Sequence, residues 1–305
     1  MIIYFNGSLV EQDRARVSPF DRGFLFGDAV YEGLRAFRGQ VVGLDAHVRR
    51  MDDGLRESRI AWKPERLGTL TSALLEANGL SDAFVYWQVS RGTPGPGQPV
   101  RSRAPAGPMP PTVFGYCVPT QSLESYGEPL TATAIVAPDL RWGRGHVKST
   151  SLMGNVLSCV EASEHGAHDV VFVRGELVAE GSASNVILAV PEGAGADRAV
   201  PGGAGTRVVT PSLDSVSILD GVTRRMILAK APEIEVRAVS RRELERASEV
   251  ILVGSTAMVT SVLRLDERVV GDGRPGPVAR RLMTLLVEAI DADVRSRAPA
   301  AACVS

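Results

Sequence analysis

The chain carries 34 basic residues, yet only three of them are lysines: Lys63, Lys148 and Lys230. Lys63 lies in Trp62-Lys63-Pro64-Glu65, where proline at a first turn marks an exposed helix start. Lys230 lies in Leu228-Ala229-Lys230-Ala231-Pro232, the last turn of a helix, where a cation complements the helix dipole. Lys148 differs from both. It follows the Gly-rich, aromatic-containing segment Arg141-Trp142-Gly143-Arg144-Gly145-His146-Val147 and precedes Ser149-Thr150-Ser151 and a helix. Arginine and lysine part ways where geometry or a shifted pKa matters, so Lys148 is the candidate for amine chemistry. Scarcity alone leaves the other reading open, one more surface cation in an arginine-biased chain.

Three further stretches bear on that choice. Glu180-Gly181-Ser182-Ala183-Ser184-Asn185 sets a carboxylate and small hydroxyls at a strand end; taken alone it reads first as a capped turn. Leu219-Asp220-Gly221-Val222-Thr223-Arg224 opens a helix, and free N–H groups at a helix start bind phosphate. Gly254-Ser255-Thr256-Ala257 follows a strand and offers a second nest of N–H and hydroxyl donors. Each is weak by itself. Together they suit a phosphate-bearing cofactor with an aldehyde for the lysine and a basic ring nitrogen for the carboxylate. Pyridoxal 5'-phosphate (PLP) has those three parts.

Other chemistries find less support. His165 and His168 have no carboxylate or cysteine to complete a metal set, and no metal is expected. Neither GxxxxGK[ST] nor Gly-x-Ser-x-Gly occurs. The net charge of -1 gives no electrostatic case for nucleic acid or an anionic membrane. Cys117, Cys159 and Cys303 are scattered and odd in number, as in a reducing compartment. The N-terminus reads as a strand and turn without an export signal, and no apolar run reaches membrane-spanning length, so a cytoplasmic protein is expected.

The elements that must hold these residues are short and mixed. Asn6-Gly7 between apolar runs predicts a hairpin. Val30 to Phe37 reads as a strand, and apolar residues at 44, 48, 51 and 55 predict an amphipathic helix. A second helix spans 66–77. Strands are expected at 83–90 and 112–118, flanking a Pro/Gly/Arg-rich loop over 92–111. The later part reads as strands at 130–137, 169–173, 176–179, 186–190, 234–239, 250–253 and 259–263, with helices at 151–165, 221–231 and 277–289. A Gly/Ala/Pro insertion over 191–205 reads as a flexible surface loop. The expected class is α+β in two domains: a small N-terminal α/β domain over 1–118, a linker at 119–128, a larger C-terminal domain over 129–295 with a mostly antiparallel or barrel-like sheet, and a frayed tail over 296–305.

These residues, in this order, resemble the class IV (fold-type IV) PLP-dependent aminotransferases, most of all the D-amino-acid branch. Asp21-Arg22-Gly23-Phe24-x-Phe26-Gly27-Asp28-x-Val30-Tyr31-Glu32 resembles the N-terminal signature, and His47-Val48-Arg49-Arg50-Met51 its helix motif. The Lys148 and Glu180 stretches resemble the central signature. The segments around Val222 and Ser255 resemble the C-terminal phosphate-binding pieces. The resemblance implies that Lys148 carries the cofactor as an internal aldimine and shuttles the proton. It implies that Glu180 pairs with the pyridine nitrogen, that Arg50, Val222, Thr223, Ser255 and Thr256 hold the phosphate, and that Leu219 packs on the ring. Tyr31 would line the substrate pocket, and the enzyme would be a homodimer acting on an amino acid and a 2-oxo acid.

The match is not uniform. After Arg91-Gly92-Thr93 the D-amino-acid branch carries an Arg-x-His pair that traps the substrate carboxylate; here the nearest equivalent is Arg101-x-Arg103, displaced by a few residues. Glu32-Gly33-Leu34-Arg35-Ala36-Phe37 is more similar to the branched-chain branch, which makes Arg35 a further candidate for the carboxylate. Transamination of a D-amino acid such as D-alanine with 2-oxoglutarate is the first expectation. A branched-chain L-aminotransferase and 4-amino-4-deoxychorismate lyase are the alternatives.

Overall fold

The structure is a computed structural model that describes residues 1–192 and 205–297. Most of the insertion read over 191–205, and the end of the tail read over 296–305, lie outside the described residues. The chain forms two compact units. The first holds Met1–Ser125, Val147–Ser151 and the described residues from Ile290 onward; the second holds Tyr126–His146 and the described part of Leu152–Ala289.

In the first unit the strands are β1 (Ile2–Phe5), β2 (Ser8–Glu11), β3 (Ala29–Phe37), β4 (Gln40–Val41), β5 (Ala83–Ser90) and β6 (Thr112–Pro119). They form one antiparallel sheet in the order β2-β1-β6-β5-β3-β4. Side chains alternate between the faces of a strand. The apolar even-numbered residues of β3, Val30, Leu34 and Ala36, join Val85, Trp87 and Val89 of β5 in the core. Against them pack Met51 and Leu55 of α2 (Leu44–Ser58) and Leu67, Leu74 and Leu75 of α3 (Leu67–Ala77). Trp87 is fully buried and its indole N–H donates to Thr71 Oγ1 at 2.9 Å. Gly115 makes room for that ring, since a Cβ there would lie 2.6 Å from it. The opposite face carries Tyr31, Tyr86 and Tyr116, stacked in succession at 5.5 and 5.3 Å between ring centroids.

The stretch Asp21 to Asp28 shows no sequence period. It forms the short helix α1 (Arg22–Phe26), where the sequence reads only as a turn and an apolar run. Asp21 caps it through the Gly23 N–H at 2.8 Å, and its other oxygen accepts from Ser90 and Thr112. Five residues are too few for a helical repeat to be visible.

The second unit contains β7 (Leu130–Pro138), β8 (Asp169–Arg174), β9 (Leu177–Gly181), β10 (Asn185–Pro191), β11 (Thr206–Pro211), β12 (Glu235–Arg237), β13 (Glu249–Gly254), β14 (Met258–Leu265) and β15 (Arg268–Val269). The ladder runs β12-β11-β10-β13-β14-β7-β8-β9, and β9 pairs back onto β10, so six strands close a ring. Within the ring, β14–β7 and β7–β8 are parallel and the other pairs antiparallel. This is the barrel-like, mostly antiparallel sheet that the sequence suggests. The helices are α4 (Met153–Glu164), α5 (Val222–Lys230), α6 (Arg241–Arg246) and, as far as Ala289, α7 (Pro277–Arg297), whose last residues belong to the first unit. The last is longer than the expected 277–289, and Ser296 and Arg297, read as tail, are helical. Among the described residues no helix is long and apolar enough to cross a membrane.

Candidate active site

In the first unit Lys148 runs beside the start of β3. Val30 and Ser149 form an antiparallel bridge, the Tyr31 N–H donates to Lys148 O at 3.0 Å, and the Thr150 N–H donates to Ala29 O at 3.0 Å. That pairing sets the Lys148 side chain over Tyr31. Its Nζ donates to the Tyr31 hydroxyl at 3.3 Å and lies 4.4 Å from the ring centroid. An ammonium held against a phenol face gains cation–π attraction.

On the other face of β3, Glu32 is fully buried and meets α2. Its carboxylate accepts from Arg50 Nε and Nη2, both at 2.7 Å, a two-pronged geometry that lysine cannot supply. His47 Nδ1 lies 2.7 Å from the same carboxylate. Burial pushes the Glu32 carboxyl up, but Arg50 and then His47 outweigh it and hold it down at about 2. Burial pulls the His47 imidazole below its ordinary value; Glu32 opposes this, while Arg50 and Lys148 add to it.

In the second unit Glu180 ends β9 and is nearly buried. Oε1 accepts from Arg141 Nη1 at 2.8 Å, and Oε2 accepts from the Leu219 N–H at 3.0 Å and, more loosely, from Asn185 Nδ2 at 3.4 Å. Asn185 also donates to Leu219 O at 2.8 Å. One carboxylate, one amide and one backbone segment thus lock together. Gly221, the N-cap of α5, lies against Asn185, and no side chain caps that helix. Gly254 lies against Ala183 and Ser184, where a Cβ would come 3.2 Å from the Ala183 carbonyl. The buried Ser184 hydroxyl has no hydrogen-bond partner among the described residues.

The second unit therefore gathers Glu180 with the segments that begin at Leu219 and Gly254, as the sequence suggests. A fixed carboxylate suits a basic ring nitrogen. An uncapped helix start and an unpartnered hydroxyl suit a phosphate. The donor set fits PLP. Val222 and Thr223 are buried in the first turn of α5, Ser255 is half-buried and Thr256 exposed.

The carboxylate candidates are more dispersed. Arg35 shares a face of β3 with Tyr31, but four residues along a strand separate their Cα atoms by roughly 13 Å. Its guanidinium lies 5.3 Å from the Phe37 ring centroid. Arg101 is exposed and sits 5.1 Å over Phe26. Arg103 is exposed too, and its backbone carbonyl accepts from Arg22 Nη2 at 2.9 Å. Lys63 is exposed, beside Asp52, and Lys230 ends α5.

Four residues in these clusters had no role from sequence: Glu32, His47, Arg141 and Asn185. Glu32 and His47 stand inside the two N-terminal motifs, so position could have flagged them. Arg141 is 39 residues from Glu180, and no local spacing announces that pair.

Comparison with known proteins agrees with this picture. The family model described as amino-transferase class IV matches residues 29–265. A D-alanine aminotransferase of Bacillus licheniformis is 32% identical over 296 residues, covering 95% of this chain and 97% of that protein. One from Staphylococcus haemolyticus is 30% identical, covering 92% and 94%. Among solved structures, a branched-chain aminotransferase of Thermoproteus uzoniensis with norvaline superposes with a TM-score of 0.78 at 22% identity, covering 97% of both chains. A hypothetical aminotransferase of Mycobacterium tuberculosis in its PLP-bound form gives 0.74 at 20%, covering 96% and 100%. At such identities these structures speak for the fold, whereas the matched family and the D-alanine aminotransferases speak for the lineage. The chain belongs to the class IV aminotransferases, enzymes that use PLP to move an amino group between an amino acid and a 2-oxo acid.

Proposed function

We propose that this aminotransferase takes its amino group from a D-amino acid such as D-alanine and passes it to a 2-oxo acid such as 2-oxoglutarate. Full-length relatedness to D-alanine aminotransferases carries this reading. Bound PLP supplies the electron sink that stabilises negative charge at the substrate Cα. Lys148 would hold the cofactor and carry the proton at the substrate Cα. Tyr31, whose hydroxyl is 3.3 Å from Nζ, orients the amine and lines the substrate side. Glu180 pairs with the ring nitrogen and Leu219 packs on the ring. Arg50, Val222, Thr223, Ser255 and Thr256 hold the phosphate, and Arg35, Arg101 or Arg103 takes the substrate carboxylate. The enzyme works as a cytoplasmic homodimer, which gel filtration of the purified chain tests for assembly.

The decisive assay offers D-alanine, L-leucine and aminodeoxychorismate in turn. Release of 2-oxo acid from D-alanine supports the proposal. L-leucine reacting while D-alanine does not would replace it with the branched-chain reading, which the Glu32-to-Phe37 segment favours. Pyruvate from aminodeoxychorismate without an amino acceptor would point to the lyase. Borohydride should fix the cofactor to Lys148; attachment at Lys63 or Lys230, or none, refutes the assignment of the lysine.

A further inference from the structure

Glu180 stands at the end of a line of alternating charges. Arg174 Nη2 donates to Asp139 Oδ2 at 2.7 Å. Asp139, with its side chain fully buried, also accepts from Arg141 Nε at 2.9 Å, Arg141 Nη2 at 3.1 Å and the Arg141 backbone N–H at 3.2 Å. Arg141 then donates through Nη1 to Glu180 Oε1 at 2.8 Å. The Phe172 ring lies 4.2 Å from the Arg141 guanidinium carbon and closes one of its faces. Asp139 thus occupies one edge of the guanidinium, Phe172 one face, and an Nη1 N–H is aimed at Glu180. The Arg141 side chain is 11% exposed, so water screens the pair little.

We infer that Arg141 is a positioning residue that keeps Glu180 ionised, so that the proton shared by Glu180 and the cofactor ring stays on the ring nitrogen. The inference rests on the reading of Glu180 as the ring's partner. A proton between a pyridine nitrogen and a carboxylate has two resting places. On nitrogen it leaves two opposite charges; on oxygen it leaves two neutral groups, the arrangement that burial favours. A guanidinium bonded to one carboxylate oxygen opposes protonation of that carboxyl and tips the balance to nitrogen. The Leu219 N–H on Oε2 acts in the same sense. Asp139 keeps Arg141 itself charged: burial pulls the guanidinium down, but Asp139 and Glu180 together raise it above its ordinary value. A ring protonated at nitrogen is the stronger electron sink, so Arg141 would act on the reaction without touching substrate.

The test is nitrogen-15 NMR of the holoenzyme loaded with PLP labelled at the ring nitrogen. Wild type should resonate at the pyridinium position. Glu180→Gln should move the signal to the neutral-pyridine position; no movement there refutes the Glu180 reading and the inference with it. Arg141→Met should move it the same way, and Arg141→Lys should return it toward pyridinium. Because Arg141→Met leaves Asp139 short of a partner, the double variant Asp139→Asn/Arg141→Met removes that charge as well and should also give the neutral position. Arg174→Met, at the far end of the line, should leave the signal in place. A pyridinium signal retained in both Arg141→Met variants while Glu180→Gln loses it overturns the inference and spares the Glu180 assignment. Failure of lysine to restore the signal overturns it too, as does an Arg174→Met shift as large as that of Arg141→Met.

Discussion

Replacing Glu32 with glutamine should change the acid stability of the protein as well as its stability at neutral pH. The carboxyl is held at about 2 in the folded chain, against about 4.3 when unfolded. A difference of roughly two units, at 1.36 kcal/mol each, amounts to about 3 kcal/mol. Because the folded value is the lower one, this stability is present above pH of about 4.3 and is lost as pH falls toward about 2. His47, also below its ordinary value, adds loss in the same direction at somewhat higher pH. In Glu32→Gln the acid limb between pH 7 and pH 3 should flatten by about 2 kcal/mol, the rest of the loss lying below pH 3. At pH 7 the variant should lose about 3–5 kcal/mol, since Arg50 and His47 both lose the buried carboxylate they bind. Urea unfolding followed by tryptophan fluorescence, repeated from pH 7 to pH 3, reads both effects, and Trp87 lies in the same core. A variant with the wild-type midpoint at pH 7, or with an undiminished acid limb, would refute the reasoning.

Two further substitutions probe the first unit. Thr71→Val removes the acceptor of the buried Trp87 indole N–H while keeping side-chain volume; thermal or urea unfolding should show a loss of about 1–3 kcal/mol, and a neutral result would mean the indole finds another acceptor. Gly92 has φ of +93° and a Cβ there would come within 1.9 Å of the Pro110 carbonyl. Gly92→Ala should cost about 2–3 kcal/mol and speed proteolytic cleavage within 94–110, whereas an unchanged digestion pattern would count against strain at that turn.

Periodic and scarce features were legible in the sequence. Leu44, Val48, Met51 and Leu55 announce α2 because their spacing matches a helical turn. Asn6-Gly7 announces the first hairpin, and both residues do take positive φ. Lys148 stood out by rarity, and Glu180 by its place at a strand end. What stayed hidden was long-range or too short to repeat. The bridge between Val30 and Ser149, which brings Lys148 to Tyr31, joins residues more than a hundred positions apart. Helix α6 has six residues, five of them charged, and so shows no apolar stripe. Its one signal is the capping box of Ser240 and Glu243, which the structure forms in both directions. Strand ends were also less legible: β12 is only Glu235–Arg237, although a strand was expected over 234–239.

The ring of strands in the second unit is joined between β9 and β10 by a single residue pair, Glu180 opposite Asn185. The barrel's narrowest seam and its carboxylate are therefore the same place. Fraying there would unpair two strands and withdraw the acceptor in one movement. A ligand that pairs with Glu180 acts as a fastener on that seam, and by mass action its binding free energy resists opening of the ring. On the proposed pairing of Glu180 with the cofactor, occupancy and opening of the ring are linked equilibria, which would be read as slowed amide exchange at the β9–β10 turn whenever the site is filled.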